Sequence, residues 1–276
     1  MTKKIKILFR TIQMTKVVRG GRFSFVIYFL GTHAVNSINR ISPSCTYFLR
    51  KILHSKHVFI IKNDSGIFEI RPFNDSMTIS ADYFERQLLY WIGKPERKKL
   101  FIDIGANIGK YTVIAQKKFH YKKVMAIEAN PITFSALQKN VVLNNLDATT
   151  ILVQVALSDH DGSVLFESDE YNSGGAHVVS VQNKNKIIEI TAKKASTVFD
   201  AHRIDGEDVD FIKIDVEGFE YAVLSGMRPI LEKMHDGSYI MIEISGNKTE
   251  ETKMILIACS FTLVSRNNAD YLYIKG

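Results

Sequence analysis

Five carboxylates stand at or near the ends of apolar, strand-like runs of this 276-residue chain: Asp103, Glu128, Asp215, Glu217 and Glu243. In an open α/β sheet the carboxyl ends of the strands form the edge at which ligands bind. Carboxylates that converge on one edge repel each other, so a cationic ligand, a metal or bound hydroxyl groups should offset them. The pattern predicts a site for such a ligand.

A glycine-containing turn follows the first of these strands. The apolar run Leu100–Ile104 leads into Gly105-Ala106-Asn107-Ile108-Gly109, and a helix-compatible stretch comes next. Glycine lets the backbone approach a ligand where a side chain would collide, and Asp103 can accept hydrogen bonds from a cationic or hydroxyl group. The spacing matches neither the P-loop nor the three-glycine dinucleotide fingerprint.

Glu128 stands 25 positions after Asp103, directly behind the second strand-like run. A βαβ nucleotide site places at this point the acid that accepts hydrogen bonds from the ribose. The alternative is a loop acid beside the helix cap formed by Asn130 and Pro131. Together with the glycine turn, the spacing favours the nucleotide site.

The elements that must position these residues alternate between strands and helices. The pattern predicts strands at 100–104, 123–127, 150–157, 211–214 and 239–244, separated by helices, and two closing strands at 261–264 and 271–274. Such alternation indicates a mostly parallel sheet that is covered on both faces. The alternation lapses between 159 and 194, where short strand-like runs predict a β insertion over one end of the site.

Charge is distributed unevenly along the chain. Residues 1–62 contain twelve Lys and Arg and no Asp or Glu, whereas the remainder has 24 basic against 29 acidic residues. We therefore expect a basic, helical N-terminal segment at 1–57 and a main domain at 58–276. The apolar run within the segment is shorter than the roughly 20 residues that span a bilayer.

Three interpretations of residues 1–57 stay open. The segment is a helical cap on the main domain, a peripheral contact with an anionic membrane surface, or an arm that docks nucleic acid. The last is disfavoured because no recognised nucleic-acid-binding motif is present. Cys45 and Cys259 do not suggest a disulfide framework, so we expect a cytoplasmic protein, with the inner face of the membrane as its peripheral contact.

Four motifs in order resemble the FkbM-type methyltransferases. They are Asp-Ile-Gly-Ala-Asn-Ile-Gly at 103–109, Glu-Ala-Asn-Pro at 128–131, Ala-Leu-Ser-Asp at 156–159 and Asp-Phe-Ile-Lys-Ile-Asp-Val-Glu-Gly at 210–218. The family usually has Glu-Pro-x-Pro at the second motif, but the acid is retained here. The resemblance implies a Rossmann-like class I methyltransferase sheet, mostly parallel with an antiparallel C-terminal strand, and S-adenosyl-L-methionine as cofactor.

The resemblance also implies roles for individual residues. The glycine turn would wrap the methionine part of the cofactor through Gly105, Ala106, Asn107 and Gly109. Asp103 would lie near the amino group of the cofactor, and Glu128 would hold its ribose. The turn at Ala156 and Leu157 would frame the adenine, and Asp215 would face the sulfonium and the acceptor. A sulfonium cation is favoured by nearby carboxylates.

The group that deprotonates the acceptor is left open. Asp215 or Glu217 is a candidate general base if burial raises its pKa, although Glu217 is equally suited to cap the following helix. Asp215 and Glu243 would also suit a shared divalent metal, but no third ligand is evident, and no metal site is predicted. His177, within the insertion, is a further candidate base.

The acceptors usual for the family imply O-methylation of a hydroxyl on a sugar, a glycan or a related metabolite. One alternative is a membrane-surface enzyme that acts on a lipid-linked acceptor. Another is a catalytically silent, cofactor-binding partner subunit. An RNA methyltransferase is the least favoured alternative, because the chain has no Asn/Asp-Pro-Pro-Tyr type motif.

Overall fold

A computed structural model describes residues 11–39, 45, 58–71, 76–81, 85, 88–168, 186–245 and 247–276. His177 and the strand-like run expected at 177–181 within the insertion lie outside the described residues, as do 1–10 and most of 40–57. In the described part of the chain, no helix combines the length and the apolar character needed to cross a bilayer.

The main sheet has seven strands. In spatial order they are β6 (Thr150–Val153), β5 (Lys123–Ile127), β4 (Leu100–Ile104), β10 (Val209–Ile214), β11 (Tyr239–Glu243), β13 (Asp270–Lys275) and β12 (Phe261–Asn267). The neighbours from β6 to β11 are parallel, and β13 is antiparallel to both β11 and β12. The predicted fold class, a mostly parallel sheet with an antiparallel C-terminal strand, is confirmed.

Helices cover both faces of this sheet, as parallel strands require. They are α4 (Lys110–Lys117) and α5 (Pro131–Leu143) on one face, and α6 (Ala195–Ala201), α7 (Glu220–Lys233) and α8 (Thr249–Ala258) on the other. Alternate residues of each strand point to opposite faces. Phe101 of β4 stacks on Phe211 of β10, with ring centroids 5.4 Å apart, in the core beneath α4 and α5. Ile102 and Ile212 belong to the core beneath α7.

The N-terminal part packs on the main domain. The elements that precede the main sheet are β1 (Lys16–Arg19), α1 (Arg22–Asn39), β2 (Phe59–Asn63) and β3 (Gly66–Ile70). Two short helices follow them, α2 (Ser76–Ile79) and α3 (Leu89–Ile92). Strands β1, β2 and β3 form an antiparallel sheet across the expected boundary at 57 and 58. Phe25 and Phe29 of α1 share a core with Phe101. The side-chain amides of Asn140 on α5 and of Asn144, directly after it, hydrogen bond to the backbone of β3 at 2.7 to 3.0 Å.

The strand expected at 150–157 divides into two. Strand β6 ends at Val153 in the main sheet, and β7 (Ala156–Ser158) joins a second sheet with β8 (Gly162–Ser168) and β9 (Lys186–Lys194), in the order β7-β9-β8. Strands β8 and β9 form an antiparallel pair, as the predicted β insertion requires. A short 3₁₀ turn, Gly206–Asp208, precedes β10.

Gly226 sets the distance between α7 and β7. A Cβ atom added to Gly226 would lie 1.9 Å from the carbonyl oxygen of Ser158. The helix therefore crosses directly over the strand that carries Ala156 and Leu157, and only glycine fits at the crossing.

This crossing predicts the effect of Gly226→Ala. In an exposed helix the change would stabilise the protein by about 1 kcal/mol. Here the backbone clash reverses the sign, and we expect the free energy of unfolding to fall by about 2 kcal/mol in urea denaturation. Ser225→Ala, one position earlier and partly exposed, should change it by less than about 0.5 kcal/mol. A Gly226→Ala protein at least as stable as the original would contradict the crossing.

Candidate active site

The turn after β4 is held in a left-handed conformation at three of its five residues. The φ angles are +76° at Gly105, +51° at Asn107 and +84° at Gly109. The N–H groups of Gly105 and Ala106 both donate to the carbonyl oxygen of Ile127, at 2.9 and 3.0 Å. The turn therefore curls over the carboxyl end of β5 and presents its backbone at the edge of the sheet.

Gly105 also contacts the end of β10. A Cβ atom added there would lie 1.8 Å from the carbonyl oxygen of Asp215, and the Asp215 N–H donates to the Ile104 carbonyl at 3.1 Å. The backbone at Gly105 and the backbone at Asp215 are thus in direct contact, which brings two of the predicted site segments together. A side chain at Gly105 would separate them.

Glu128 is buried and oriented by backbone hydrogen bonds. Its Oε2 accepts from the N–H of Asn107 at 2.7 Å, and its Oε1 accepts from the N–H of Asn130 at 2.8 Å. Burial raises the pKa of Glu128, and these two hydrogen bonds oppose the rise. The cap of α5 is instead the side chain of Asn130, which accepts from the Ile132 N–H at 3.0 Å. Glu128 therefore joins the glycine turn to the start of α5.

Asn107 leaves a polar atom unused. Its Oδ1 is buried and has no hydrogen-bond partner among the described residues. A buried acceptor without a donor is unfavourable unless a bound group supplies one. A ligand carrying an N–H or O–H donor beside the turn would satisfy it, which fits an amino-acid moiety at this position.

A buried lysine, Lys213, lies between two of the acids at the centre of the sheet, Asp103 and Asp215. Lys213 of β10 is the register partner of Asp103 on β4. Its Nζ lies 3.1 Å from Asp215 Oδ2, 4.0 Å from Asp103 Oδ1 and 4.9 Å from the centre of the Tyr111 ring. Burial alone would lower the pKa of Lys213, but the carboxylates of Asp215 and Asp103 outweigh burial and raise it. Lys213 is therefore charged at neutral pH.

Asp103 is wholly enclosed. Its Oδ2 accepts from Thr112 Oγ1 at 2.6 Å, and burial raises its pKa against the opposing effect of Lys213. Asp215, by contrast, is partly exposed at the edge of the sheet. Of the two acids, only Asp215 presents its carboxylate toward solvent, while Asp103 contacts the site through Lys213 and Thr112.

Two further acids face each other on neighbouring strands. Glu243 of β11 and Asp270 of β13 are register partners. Burial, with the carboxylates of Asp215 and Asp270, raises the pKa of Glu243 to about 7. Burial and Glu85 raise the pKa of Asp270 to about 6. This edge of the sheet has more carboxylates than the single cation Lys213 can balance. Glu243 and Asp270 therefore retain their protons to a higher pH than ordinary carboxylic acids do.

Glu217 lies in the exposed turn after Asp215, with a φ of +50°. Helix α7 has no side-chain cap at its N-cap residue Phe219, and the carboxylate of Glu220 in its first turn instead accepts from the Gly218 N–H at 2.8 Å. Within the described residues, no three His, Cys, Asp or Glu side chains are arranged to hold a metal ion.

Ala156 and Leu157 lie on β7 and are both buried, but they point into different clusters. Ala156 belongs to the small cluster that also contains Val164, Ile190 and Ala192, and against which Ala129 and Phe219 pack. Leu157 points into the core beneath α7.

Four site residues were not foreseen from the sequence: Lys213, Asp270, Glu85 and Tyr111. Lys213 could have been noticed in the sequence. After Asp210, it is the one charged residue in the otherwise apolar strand Val209–Ile214. Glu85 contacts the site through Tyr111, whose hydroxyl donates to Glu85 Oε2 at 2.5 Å. Neither Glu85 nor Asp270 follows a parallel strand, so the strand-end pattern could not identify them.

The sequence model of the methyltransferase FkbM domain family matches residues 103–272. This range contains every site residue described above except Glu85. The matched segment accounts for more than half of the chain.

Individual proteins show the same similarity. Hexuronic acid methyltransferase AglP of Haloferax volcanii is 28% identical over 183 residues, covering 66% of this chain and 71% of that protein. Methyltransferase sdnD of Sordaria araneosa is 25% identical, covering 54% of this chain and 70% of that protein. A crystal structure of an FkbM methyltransferase from Methylobacillus flagellatus aligns with a TM-score of 0.45 at 16% identity, covering 87% of this chain and 60% of that one. By its family match, this chain belongs to the FkbM methyltransferases.

Proposed function

We propose that this protein transfers a methyl group from S-adenosyl-L-methionine to a hydroxyl of a sugar, a glycan or a related metabolite. The observation that carries the proposal is Glu128, a buried carboxylate oriented by two backbone N–H groups beside the left-handed turn Gly105 to Gly109. A buried carboxylate needs donors that stabilise it, and the two hydroxyls of a ribose would supply them.

The residues of the turn suit the cofactor. Each oxygen of Glu128 accepts one backbone hydrogen bond and keeps acceptor capacity for a ribose hydroxyl. Asn107 Oδ1 would accept from the amino group of the methionine part, and Gly105 and Gly109 leave the backbone free of Cβ atoms. Ala156, with Leu157 behind it, would frame the adenine. When bound, S-adenosylmethionine supplies an electrophilic methyl group on a positively charged sulfur.

Asp103 and Asp215 take different parts in this proposal. Asp103, being enclosed, would act as a positioning residue that holds Lys213 and Thr112. Asp215, partly exposed and 3.1 Å from Lys213 Nζ, would present a fixed negative charge to the sulfonium.

Glu243 is better suited than Asp215 or Glu217 to act as general base. A base works best when its pKa lies near the working pH, and the pKa of Glu243 is raised to about 7. In our proposal the Glu243 carboxylate accepts the proton of the acceptor hydroxyl, and Asp215 orients that hydroxyl. Glu217, in the exposed turn, would contribute negative charge at the rim.

The acceptor class has independent support. A 28% identical relative is named a hexuronic acid methyltransferase, and the partly exposed carboxylates of Asp215 and Glu243 are hydrogen-bond acceptors suited to sugar hydroxyls. A sugar hydroxyl is therefore the acceptor we propose.

Glu128→Gln tests the cofactor assignment. The change preserves shape but replaces one acceptor oxygen by an amide nitrogen, so we expect the affinity for S-adenosylhomocysteine to fall by about tenfold or more. Isothermal titration calorimetry on folded samples measures it. Glu232→Gln is the control, because Glu232 is an exposed residue of α7 paired with Arg228.

Two outcomes count against the assignment. Unchanged affinity in a folded Glu128→Gln protein would exclude the ribose role of Glu128. Absence of binding by the unaltered, folded protein would exclude S-adenosylmethionine as the methyl donor.

The acceptor class is tested with S-adenosylmethionine and a panel of free, glycosidic and uronic sugars. We expect a product heavier by one methylene group that survives alkaline treatment, because methyl ethers resist base whereas methyl esters are cleaved. Mass spectrometry distinguishes these products. Transfer confined to amines or carboxylates would contradict O-methylation of a hydroxyl.

The variant Glu243→Gln tests whether Glu243 is repelled by the neighbouring carboxylates, with the free energy of unfolding as the measured quantity. Because the pKa of Glu243 is raised to about 7 in the folded protein, the unfolded chain loses this proton first, and stability falls as the pH rises from about 4.5 to 7. We expect Glu243→Gln to be more stable than the original by about 1 to 2 kcal/mol at pH 8, after allowance for partial exposure, and little changed at pH 5.

Urea denaturation at the two pH values measures this difference. Glu251→Gln, at an exposed position of α8, should leave stability unchanged at both. A destabilised Glu243→Gln protein at pH 8 would show that Glu243 is not repelled by its neighbours.

A further inference from the structure

Helix α1 has two apolar sides. One side is buried against the main domain through Phe25, Phe29 and Val35. The other carries Phe23, Ile27 and Leu30, whose exposed fractions are 80%, 54% and 47%. A helix packed on a domain normally places polar residues toward water, and among the described residues the second apolar side is left exposed.

The exposed residues form one stripe. Phe23, Ile27, Leu30 and the exposed Ala34 are separated by four, three and four positions, which is the spacing of one helical face. Scattered exposed apolar residues are ordinary on a protein surface, whereas a contiguous group marks an interaction site. The stripe is therefore a candidate docking surface.

The segment before α1 adds to the same region. The guanidinium of Arg22, at the start of α1, donates to the carbonyl oxygens of Ile12 and Thr15, both at 3.3 Å. It thereby fixes the preceding segment, with the exposed Met14 and Val18, at the amino-terminal end of the stripe. Exposed apolar side chains are therefore also present in the segment that directly precedes the helix.

Charge identifies the occupant. Lys16 and Arg19 at the two ends of β1 and Arg22 at the start of α1 are exposed, and residues 1–62 contain twelve basic and no acidic residues. Exposed aromatic and aliphatic side chains bordered by basic ones match an anionic bilayer surface, where the apolar groups enter the interface and the cations meet lipid phosphates. A protein partner would need an acidic rim around an apolar groove, a more restrictive requirement.

We propose that α1 and the preceding strand β1 dock this enzyme on an anionic membrane surface, with Phe23, Ile27 and Leu30 in the interface. The helix lies along the surface, because its opposite side is held in the core by Phe25 and Phe29. Docking is separate from methyl transfer and does not depend on the identity of the cofactor or the acceptor.

Flotation of the full chain with lipid vesicles tests the proposal. We expect binding to vesicles that contain phosphatidylglycerol, weak binding to pure phosphatidylcholine, and loss of binding as salt is raised. A protein with the three changes Phe23→Ser, Ile27→Ser and Leu30→Ser should lose affinity for anionic vesicles by about tenfold or more. A Lys16→Gln, Arg19→Gln protein should lose the preference for anionic lipid.

The matched control is Met254→Ser with Ile257→Ser on α8, which removes apolar side chains that are 61% and 58% exposed from a helix whose first turn carries the acidic residues Glu250 and Glu251. This protein should bind vesicles like the original. Equal loss of vesicle binding in the control and in the stripe variant would overturn the proposal, because non-specific hydrophobic adsorption would then explain the binding.

Other occupants give distinct results. If the stripe variant converts a dimer into a monomer in light scattering, the surface binds a second copy. If it lowers the melting temperature, the surface is covered by this chain itself. If Lys16→Gln with Arg19→Gln abolishes RNA binding while vesicle binding is absent, the partner is RNA. Each of these, or failure of the original protein to float with anionic vesicles, overturns membrane docking.

Discussion

The ion pair of Lys213 with Asp215, and its closeness to Asp103, is the interaction on which the site depends. A carboxylate buried as completely as Asp103 is costly unless a cation or hydrogen bonds compensate for its lost hydration. Lys213 and Thr112 provide part of that compensation, while Asp103 Oδ1 has no hydrogen-bond partner among the described residues. The parallel register of β4 and β10 places Lys213 directly beside Asp103. The charge of Lys213 also holds Asp215 at the exposed edge, where a cationic ligand would meet it.

The contact between Gly105 and Asp215 imposes a second constraint. Because the carbonyl oxygen of Asp215 occupies the position of a Cβ atom at residue 105, the turn after β4 and the end of β10 are fixed relative to each other. The same turn fixes Glu128 through the N–H of Asn107. One glycine therefore fixes Glu128 relative to Asp215, although the two residues lie on opposite sides of β4.

The carboxylates of Glu243 and Asp270 oppose folding, since like charges at paired positions on adjacent strands repel. Their raised pKa values express the same repulsion. Sites that must change protonation commonly retain unfavourable charge of this kind, and the surrounding core supports it. Here the support comes from two aromatic and aliphatic cores on the faces of the sheet, including the stacked pair Phe101 and Phe211.

Much of the fold could be predicted from the sequence, because buried parallel strands are continuous apolar runs and their ends mark the ligand edge. Asp103, Glu128 and Asp215 were identified in this way. The division of the strand at 150–157 was not, because apolar periodicity does not reveal which sheet a strand joins. Lys213 and Asp270 were missed for a related reason. Their roles depend on register with strands that are distant in sequence, and Glu85 depends on a contact with Tyr111.

The most direct measurement is a crystal structure of this protein with S-adenosylhomocysteine. The ligand should lie along the turn Gly105 to Gly109, with both ribose hydroxyls within hydrogen-bonding distance of the Glu128 carboxylate and the amino group near Asn107 Oδ1. Its sulfur should face Asp215. Ligand density at another place on the molecule, or a bound ribose that does not contact Glu128, would contradict the account.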